Sequence, residues 1–311
     1  MTRGKLNPFR VRQNDIVQFP GFHPGLFKFN PFRIGRQGLN FYIQHSNIIT
    51  STIMRKHFFI ASLFVLVAAA VSAQAPKMKP EETEVYTPVP PVVTPGNTPQ
   101  DAPSDAVVLF DGKNIDQWVL TGDTTKPANW TVADNILTVK KKGSGNIQTK
   151  QRFMDYQLHI EWRIPASIQG TGQARGNSGV FLASTGGGDA GYEMQVLDCY
   201  NNTTYTNGQT AAIYKQSVPL ANACKKPGDW QVYDIVWTAP RFNADGTLKS
   251  PARVTAFHNG VLVQNNYELS GQTLYIGHPV YTAHGASPIK LQAHGDASEP
   301  ISFRNIWVRP L

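Results

Sequence analysis

The sequence is poor in cysteine, with two in 311 residues. That excludes a small scaffold stapled by several disulfides, and no CxxC pair is present to hold zinc or exchange disulfides. HExxH, GxSxG and a glycine-rich phosphate loop are missing too. Their absence removes the commonest motif-based enzyme readings. Long helical patterns are scarce, which leans away from helical folds. An excess of one charge is also missing from most of the chain, despite a formal net charge of +8. Nine of the 29 Lys and Arg residues and one of the 21 Asp and Glu residues precede residue 74, so residues 74–311 carry 20 of each sign. A neutral body without a basic stripe has nothing to grip phosphates, so nucleic acid is not an expected partner.

What is present begins with an export signal. Residues 54–73, MRKHFFIASLFVLVAAAVSA, join a charged start at Arg55 and Lys56 to an apolar run from Phe58 to Val71. Val71-Ser72-Ala73 then supplies the small residues that a signal peptidase requires, so cleavage is expected after Ala73. The run is short for a membrane span and no stop-transfer cluster follows it, so no span is expected in the mature chain. The mature protein is expected in the periplasm, secreted or at the cell surface. Residues 1–53 are basic and show no period, and are read as a disordered gene-model extension upstream of a start at Met54. Residues 74–105 are dense in proline and read as an extended, solvated linker.

From residue 106 the texture becomes that of one all-β domain running to residue 311. Tyr156 to Ile164 alternates cleanly, with Tyr156, Leu158, Ile160, Trp162 and Ile164 on the buried face. Gln157, His159, Glu161 and Arg163 are expected on a solvated face. Hairpin turns are expected at Ala133–Asn135 and at Asn259-Gly260. Further strands are expected at Trp230–Thr238, Ala252–His258, Val261–Asn265, Ile289–His294 and Ile301–Val308. Many short strands with turns between them and no fixed repeat predict an antiparallel sandwich.

The stretch GNSGVFLASTGGGDAGYEMQVLD, residues 176–198, organises the rest. It holds two strand-like runs, Gly179–Ala183 and Tyr192–Leu197, around a glycine-rich turn. On the second run Tyr192, Met194 and Val196 face one way and Glu193 and Gln195 the other. One side packs a core while the other offers a carboxylate and an amide, on a solvated surface or at a site. Glu193 and Asp198 are five apart, an odd spacing that puts them on opposite faces, so this strand does not supply the paired carboxylates of ordinary glycoside hydrolysis. What clusters instead is one carboxylate with amides and imidazole: Glu193 and Gln195, Gln292 and His294, Asn177 and Tyr214. Such a set suits sugar hydroxyls and includes a base, Glu193, and an acid or electrophile, His294. His294 also reads as a core or turn histidine. Cys199 and Cys224 are read as a disulfide in an exported chain, against two free thiols.

The blocks LFDGKNIDQW, GNSGVFL, YEMQVLD, AAIY, PGDWQVYDIVW, HNGVLVQN, LQAHG and FRNIWVRPL occur in this order. Together they resemble the 3-keto-disaccharide hydrolase domain family over about Val107 to Leu311. The resemblance implies a concanavalin A-like jelly roll and action on glycosides already oxidised at C3, with a sugar 3-dehydrogenase as pathway partner. A C3 ketone acidifies the C2 hydrogen, so a base can form an enolate and the C1 substituent can leave, with water adding back for net hydrolysis. Glu193 is then the base and His294 the acid or enolate donor. Asn177, Gln195, Gln292 and Tyr214 orient hydroxyls.

Arg175, Arg304 and Asp198 are further binding candidates. Arg304 fits a rim position or a structural ion pair as well, and Asp198 equally caps the turn that follows it. The chain departs from the family pattern at Gly191, where many relatives carry Arg, and at Ala293, where many carry an acidic residue. No cofactor is required; a calcium-like divalent ion, structural or catalytic, is compatible with the fold, although no ligand spacing demands one. The rival readings are a non-catalytic, lectin-like carbohydrate-binding module and an interaction domain on a Pro-rich stalk.

Overall fold

Residues 77–140, 144–294 and 300–311 are described by the computed structural model. The upstream extension, the export signal and the start of the Pro-rich stretch lie outside the described residues. Among the described residues no helix is long and apolar enough to cross a membrane. Of the described residues up to Tyr86, Pro80–Thr83 form a 3-10 turn. The strands lie within Thr87–Leu311.

Among the described residues fifteen strands form, and every pairing is antiparallel. The larger sheet contains β1 (Val107–Phe110), β3 (Thr131–Ala133), β4 (Ile136–Thr138), β6 (Tyr156–Arg163), β9 (Gln231–Thr238), β12 (Arg253–His258), β13 (Val261–Glu268) and β15 (Ser302–Pro310). Its order is β13-β12-β9-β6-β15-β4-β3, with β1 also on β15. The smaller sheet contains β2 (Trp118–Leu120), β5 (Ile147–Thr149), β7 (Ser178–Ser184), β8 (Gly191–Val196) and β14 (Lys290–Leu291), in the order β2-β5-β14-β7-β8. A separate ribbon pairs β10 (Arg241–Phe242) with β11 (Leu248–Ser250). The architecture is the expected antiparallel jelly-roll sandwich.

Alternation explains the core. Leu158, Ile160 and Trp162 of β6, Ile235 and Trp237 of β9, Val180 and Leu182 of β7, and Met194 and Val196 of β8 point between the sheets and are buried together. Two tyrosines of the larger sheet cross this layer. The Tyr156 hydroxyl donates to the Leu182 carbonyl and the Tyr233 hydroxyl to the Gln195 carbonyl, each at 2.6 Å. A buried hydroxyl needs such a partner, and here the partner is the backbone of the strands that carry the site.

Three expectations are corrected. The polar face of β6 is not solvated: His159 and Glu161 are buried. Trp307 stacks on the His159 ring at 5.3 Å, Asp234 sits 2.7 Å from His159 Nδ1, and Arg304 and Asn305 donate to Glu161. Alternation fixes which face a side chain takes, not what covers that face. The end of the Pro-rich stretch is not a loose linker. The Gln100 carbonyl accepts from Asn305 Nδ2 and Trp307 Nε1, and Asp105 pairs with Arg309 at 2.7 Å. Finally, the strand expected over 289–294 shortens to Lys290–Leu291: Gln292 N still bonds the Gly179 carbonyl in register with β7, but Ala293 N turns to a side chain, Asn146 Oδ1, instead of a strand backbone.

Candidate active site

The outer face of the smaller sheet carries a cavity of about 610 Å³. Its floor follows from strand register. Lys290 stands opposite Phe181, Phe181 opposite Glu193, and Gly179 opposite Gln195, so these side-chain positions share one face. Gln292 extends that face beyond β14. Glu193, Gln195, Asn177, Tyr214, Gln292 and His294, six of the residues singled out in the sequence, all line this cavity.

Glu193 is the buried acid of the set, 5% exposed. Its backbone is fixed from both sides, with Glu193 N donating to Thr273 Oγ1 and the Glu193 carbonyl accepting from Tyr214 N. No described group donates to its carboxyl. Burial, and then the negative charge of Asp189, push that carboxyl up to about 8, with the positive charge of Lys290 acting in the other direction. The carboxyl lies over Gly179: a Cβ there would stand 2.5 Å from Glu193 Oε1.

The amides form a chain beside it. Gln195 Nε2 donates to Gln173 Oε1 at 3.1 Å and Asn177 Oδ1 at 3.3 Å, while Asn177 Nδ2 donates to the Gln173 carbonyl. Gln195 Oε1 and Gln292 Oε1 are buried acceptors with no donor among the described residues. Acceptors so placed suit the hydroxyl donors of a sugar. The opposite wall is aromatic and cationic. Tyr205 and Tyr214 share a hydroxyl–hydroxyl contact of 2.6 Å, and Lys215 Nζ sits 4.3 Å from the centre of the Tyr275 ring while donating to the Tyr275 carbonyl. His294 is exposed at the rim.

Sequence reasoning missed Gln173, Asp189, Tyr205, Lys215, Thr273 and Tyr275, which line the same cavity. Asp189 and Tyr205 lie in stretches that read only as turns. Thr273 and Tyr275 lie between strands, where no period marks a facing direction. The left-handed φ of 58° at Lys215 is a backbone signal that emerges only in three dimensions.

Three binding candidates are not brought to the cavity. Arg175 and Asp198 form an ion pair with each other at 2.7 Å, and Asp198 Oδ1 caps the following turn by accepting from Tyr200 N. Arg304 lies on the other sheet, where it donates to Glu161 and stacks over Trp230. The disulfide is not formed either: Cys199 and Cys224 are free thiols, joined through Thr210, whose N–H donates to Cys199 Sγ and whose hydroxyl accepts from Cys224. Gly191 has φ 139°, and a Cβ there would meet the Ala183 carbonyl at 2.3 Å, so this backbone leaves no room for the Arg of the family pattern. Among the described residues no group of three or more His, Cys, Asp or Glu side chains is placed to hold a metal ion.

Comparison with known proteins bears on this geometry. The profile of the 3-keto-alpha-glucoside-1,2-lyase-like domain matches residues 105–309. A candidate glycosyl hydrolase from Parabacteroides distasonis ATCC 8503, solved at 2.13 Å, shares 53% identity with a TM-score of 0.70, over 76% of this chain and 98% of that one. Two other candidate glycosyl hydrolases of that organism are 18% and 22% identical, with TM-scores of 0.49 and 0.47, over 67% and 66% of this chain and 94% and 99% of theirs. The search of curated proteins finds no match.

Proposed function

The chain belongs to the 3-keto-alpha-glucoside-1,2-lyase-like domain family, and from that premise we propose that it cleaves glycosides oxidised at C3, with Glu193 as the base. The observation that carries this reading is a buried carboxyl, undonated by any described group, in a cavity lined by side-chain amides. A carboxylate whose conjugate acid titrates near 8 is a stronger base than an ordinary one, which suits removal of a proton from carbon.

In this scheme Glu193 takes the C2 proton and the C3 oxygen becomes an enolate. The electron pair then forms the C1–C2 double bond as the C1–O bond breaks. His294, or a tyrosine hydroxyl of the facing wall, gives a proton to the leaving oxygen. Water adding at C1, with a proton returned to C2, converts elimination to net hydrolysis. Gln195 and Gln292 accept from ring hydroxyls and hold C2 over Glu193, which is the positioning such a reaction needs. The activity is that of an exported enzyme fed by a sugar 3-dehydrogenase.

The test is turnover of a 3-keto-glucoside beside its unoxidised parent. Product from the keto compound alone is expected. Cleavage of both compounds points to ordinary glycoside hydrolysis, and sugar binding without turnover points to a lectin-like module; either result overturns the proposal.

A further inference from the structure

Lys290 is a buried cation on the outer face of the smaller sheet, and it takes no part in the elimination chemistry. Its side chain is fully buried on β14. Nζ donates to the Gly188 carbonyl at 2.9 Å and the Ala190 carbonyl at 2.6 Å, and lies 4.2 Å from the centre of the Phe181 ring. Among the described residues no carboxylate lies within ion-pair distance of it. Burying an ammonium without a counter-ion costs several kcal/mol, whereas a methionine would fill similar space without that penalty. The charge therefore serves something other than packing.

Register shows what it faces. Lys290, Phe181 and Glu193 are consecutive in one row across β14, β7 and β8, so Lys290 and Glu193 stand two strand spacings apart, about 10 Å between backbones. Phe181, itself fully buried, stands between them in that row. The two carbonyls that hold Lys290 belong to the turn carrying Asp189. Asn146 Nδ2 grips the same turn, donating to the Gly188 carbonyl at 3.0 Å and to Asp189 Oδ1 at 2.9 Å. The charged and titratable groups facing Glu193 are thus Asp189 from this turn, Lys290 from β14, and Tyr205, Tyr214, Lys215, Tyr275 and His294 from the cavity walls.

We propose that Lys290 is a positioning residue for the base: it pins the glycine-rich turn to the sheet and supplies the positive charge that faces Glu193 across Phe181. This rests on the reading of Glu193 as the base. Support comes from the electrostatics of the pair. Burial lowers Lys290 to about 8, and Asp189 and Glu193 each favour its charged form. The attraction between the two groups favours the state in which both are charged.

The test uses the full chain with Lys290→Gln and Lys290→Met. Gln retains a donor for the turn carbonyls and removes the charge; Met removes both. The Glu193 carboxyl is titrated without substrate by difference infrared spectroscopy against Glu193→Gln, beside the pH profile of kcat/KM on a 3-keto-glucoside. Both variants are expected to move the Glu193 midpoint to higher pH. The rising limb of the profile moves with it. A midpoint raised from pH 8 to pH 9 lowers activity at neutral pH about tenfold. Activity of Lys290→Gln recovers as pH is raised. A folded Lys290→Gln with an unmoved midpoint overturns the proposal, even if activity falls. If Lys290→Met does not fold, Lys290→Gln decides alone. Because the titration needs no substrate, wild-type inactivity on the keto sugar overturns the base assignment while leaving the charge relationship measured.

Discussion

The Glu193 carboxyl occupies the space that a side chain at residue 179 would fill. A Cβ on Gly179 would stand 2.5 Å from Glu193 Oε1 and 3.0 Å from its carboxyl carbon. Gly179 is therefore part of the site without contributing an atom of side chain to it. The carboxyl gains its low-dielectric surroundings by lying flat over β7, and those surroundings are what raise its proton affinity.

Gly179→Ala follows directly. The added methyl pushes the carboxyl off β7 into the cavity, at a cost of about 1–3 kcal/mol in stability. Turnover falls far more than thermal stability explains, because the displaced carboxyl is better solvated and a weaker base. Melting curves beside kcat on a 3-keto-glucoside check this; unchanged turnover would show that Glu193 does not act from this position.

Glu193→Gln separates stability from chemistry. The folded carboxyl titrates near 8, above its ordinary value of 4.5. Between those values the folded state holds a proton that the unfolded state has lost, so stability falls as pH rises through this window. The neutral amide escapes that loss. The variant is expected to be nearly as stable as wild type at pH 5 and clearly more stable at pH 8–9. Denaturant titrations at the two pH values measure the difference, and a stability gap that does not grow with pH would contradict it.

The pH profile of kcat/KM should rise through about pH 8 as Glu193 ionises, with the positive charge of Lys290 keeping that limb from moving higher. A profile flat from pH 6 to 10 would contradict these assignments.

Glu161 is a control on the other sheet. Burial works against its ionisation, but His159 3.7 Å away and hydrogen bonds from Asn305 and Arg304 outweigh this and hold the carboxyl down at about 2. Its folded value is depressed, so its contribution is present above the unfolded value of 4.5 and is lost as pH falls toward 2. Glu161→Ala leaves Arg304 without its carboxylate partner, while His159 keeps Asp234, and should cost about 3 kcal/mol. It should also flatten the acid end of the stability profile while kcat stays within twofold. Urea melts from pH 2 to 7 with activity assays test both halves.

The sequence showed the sandwich and the floor of the cavity because period-2 alternation is a local signal: Tyr192, Met194 and Val196 on one face and Glu193 and Gln195 on the other follow from it. The hairpin at Asn259-Gly260, whose φ values are 51° and 80°, was legible from a second local signal, the residue types that tolerate positive φ. Residues brought in by loops carry no such signal. Asp189 and Lys215 reach the cavity because turns fold over the sheet, and Arg304 misses it because its strand pairs in the other sheet. Lys290 was hidden for a different reason. It lies beside LQAHG in a strand whose sequence does not say what covers it, and the turn carrying Gly188 and Ala190 folds over it in three dimensions.

Transfer of the C2 proton to Glu193 is the central claim, and deuterium tests it most directly. A 3-keto-glucoside deuterated at C2 is turned over by wild type and by Glu193→Gln, with substrate binding measured for both. The account predicts loss of the C2 label, a primary isotope effect on kcat, and a fall of about 10²- to 10⁴-fold in the variant with binding unchanged. Cleavage of the glycosidic bond with the label retained at C2, or an unimpaired Glu193→Gln, would contradict it.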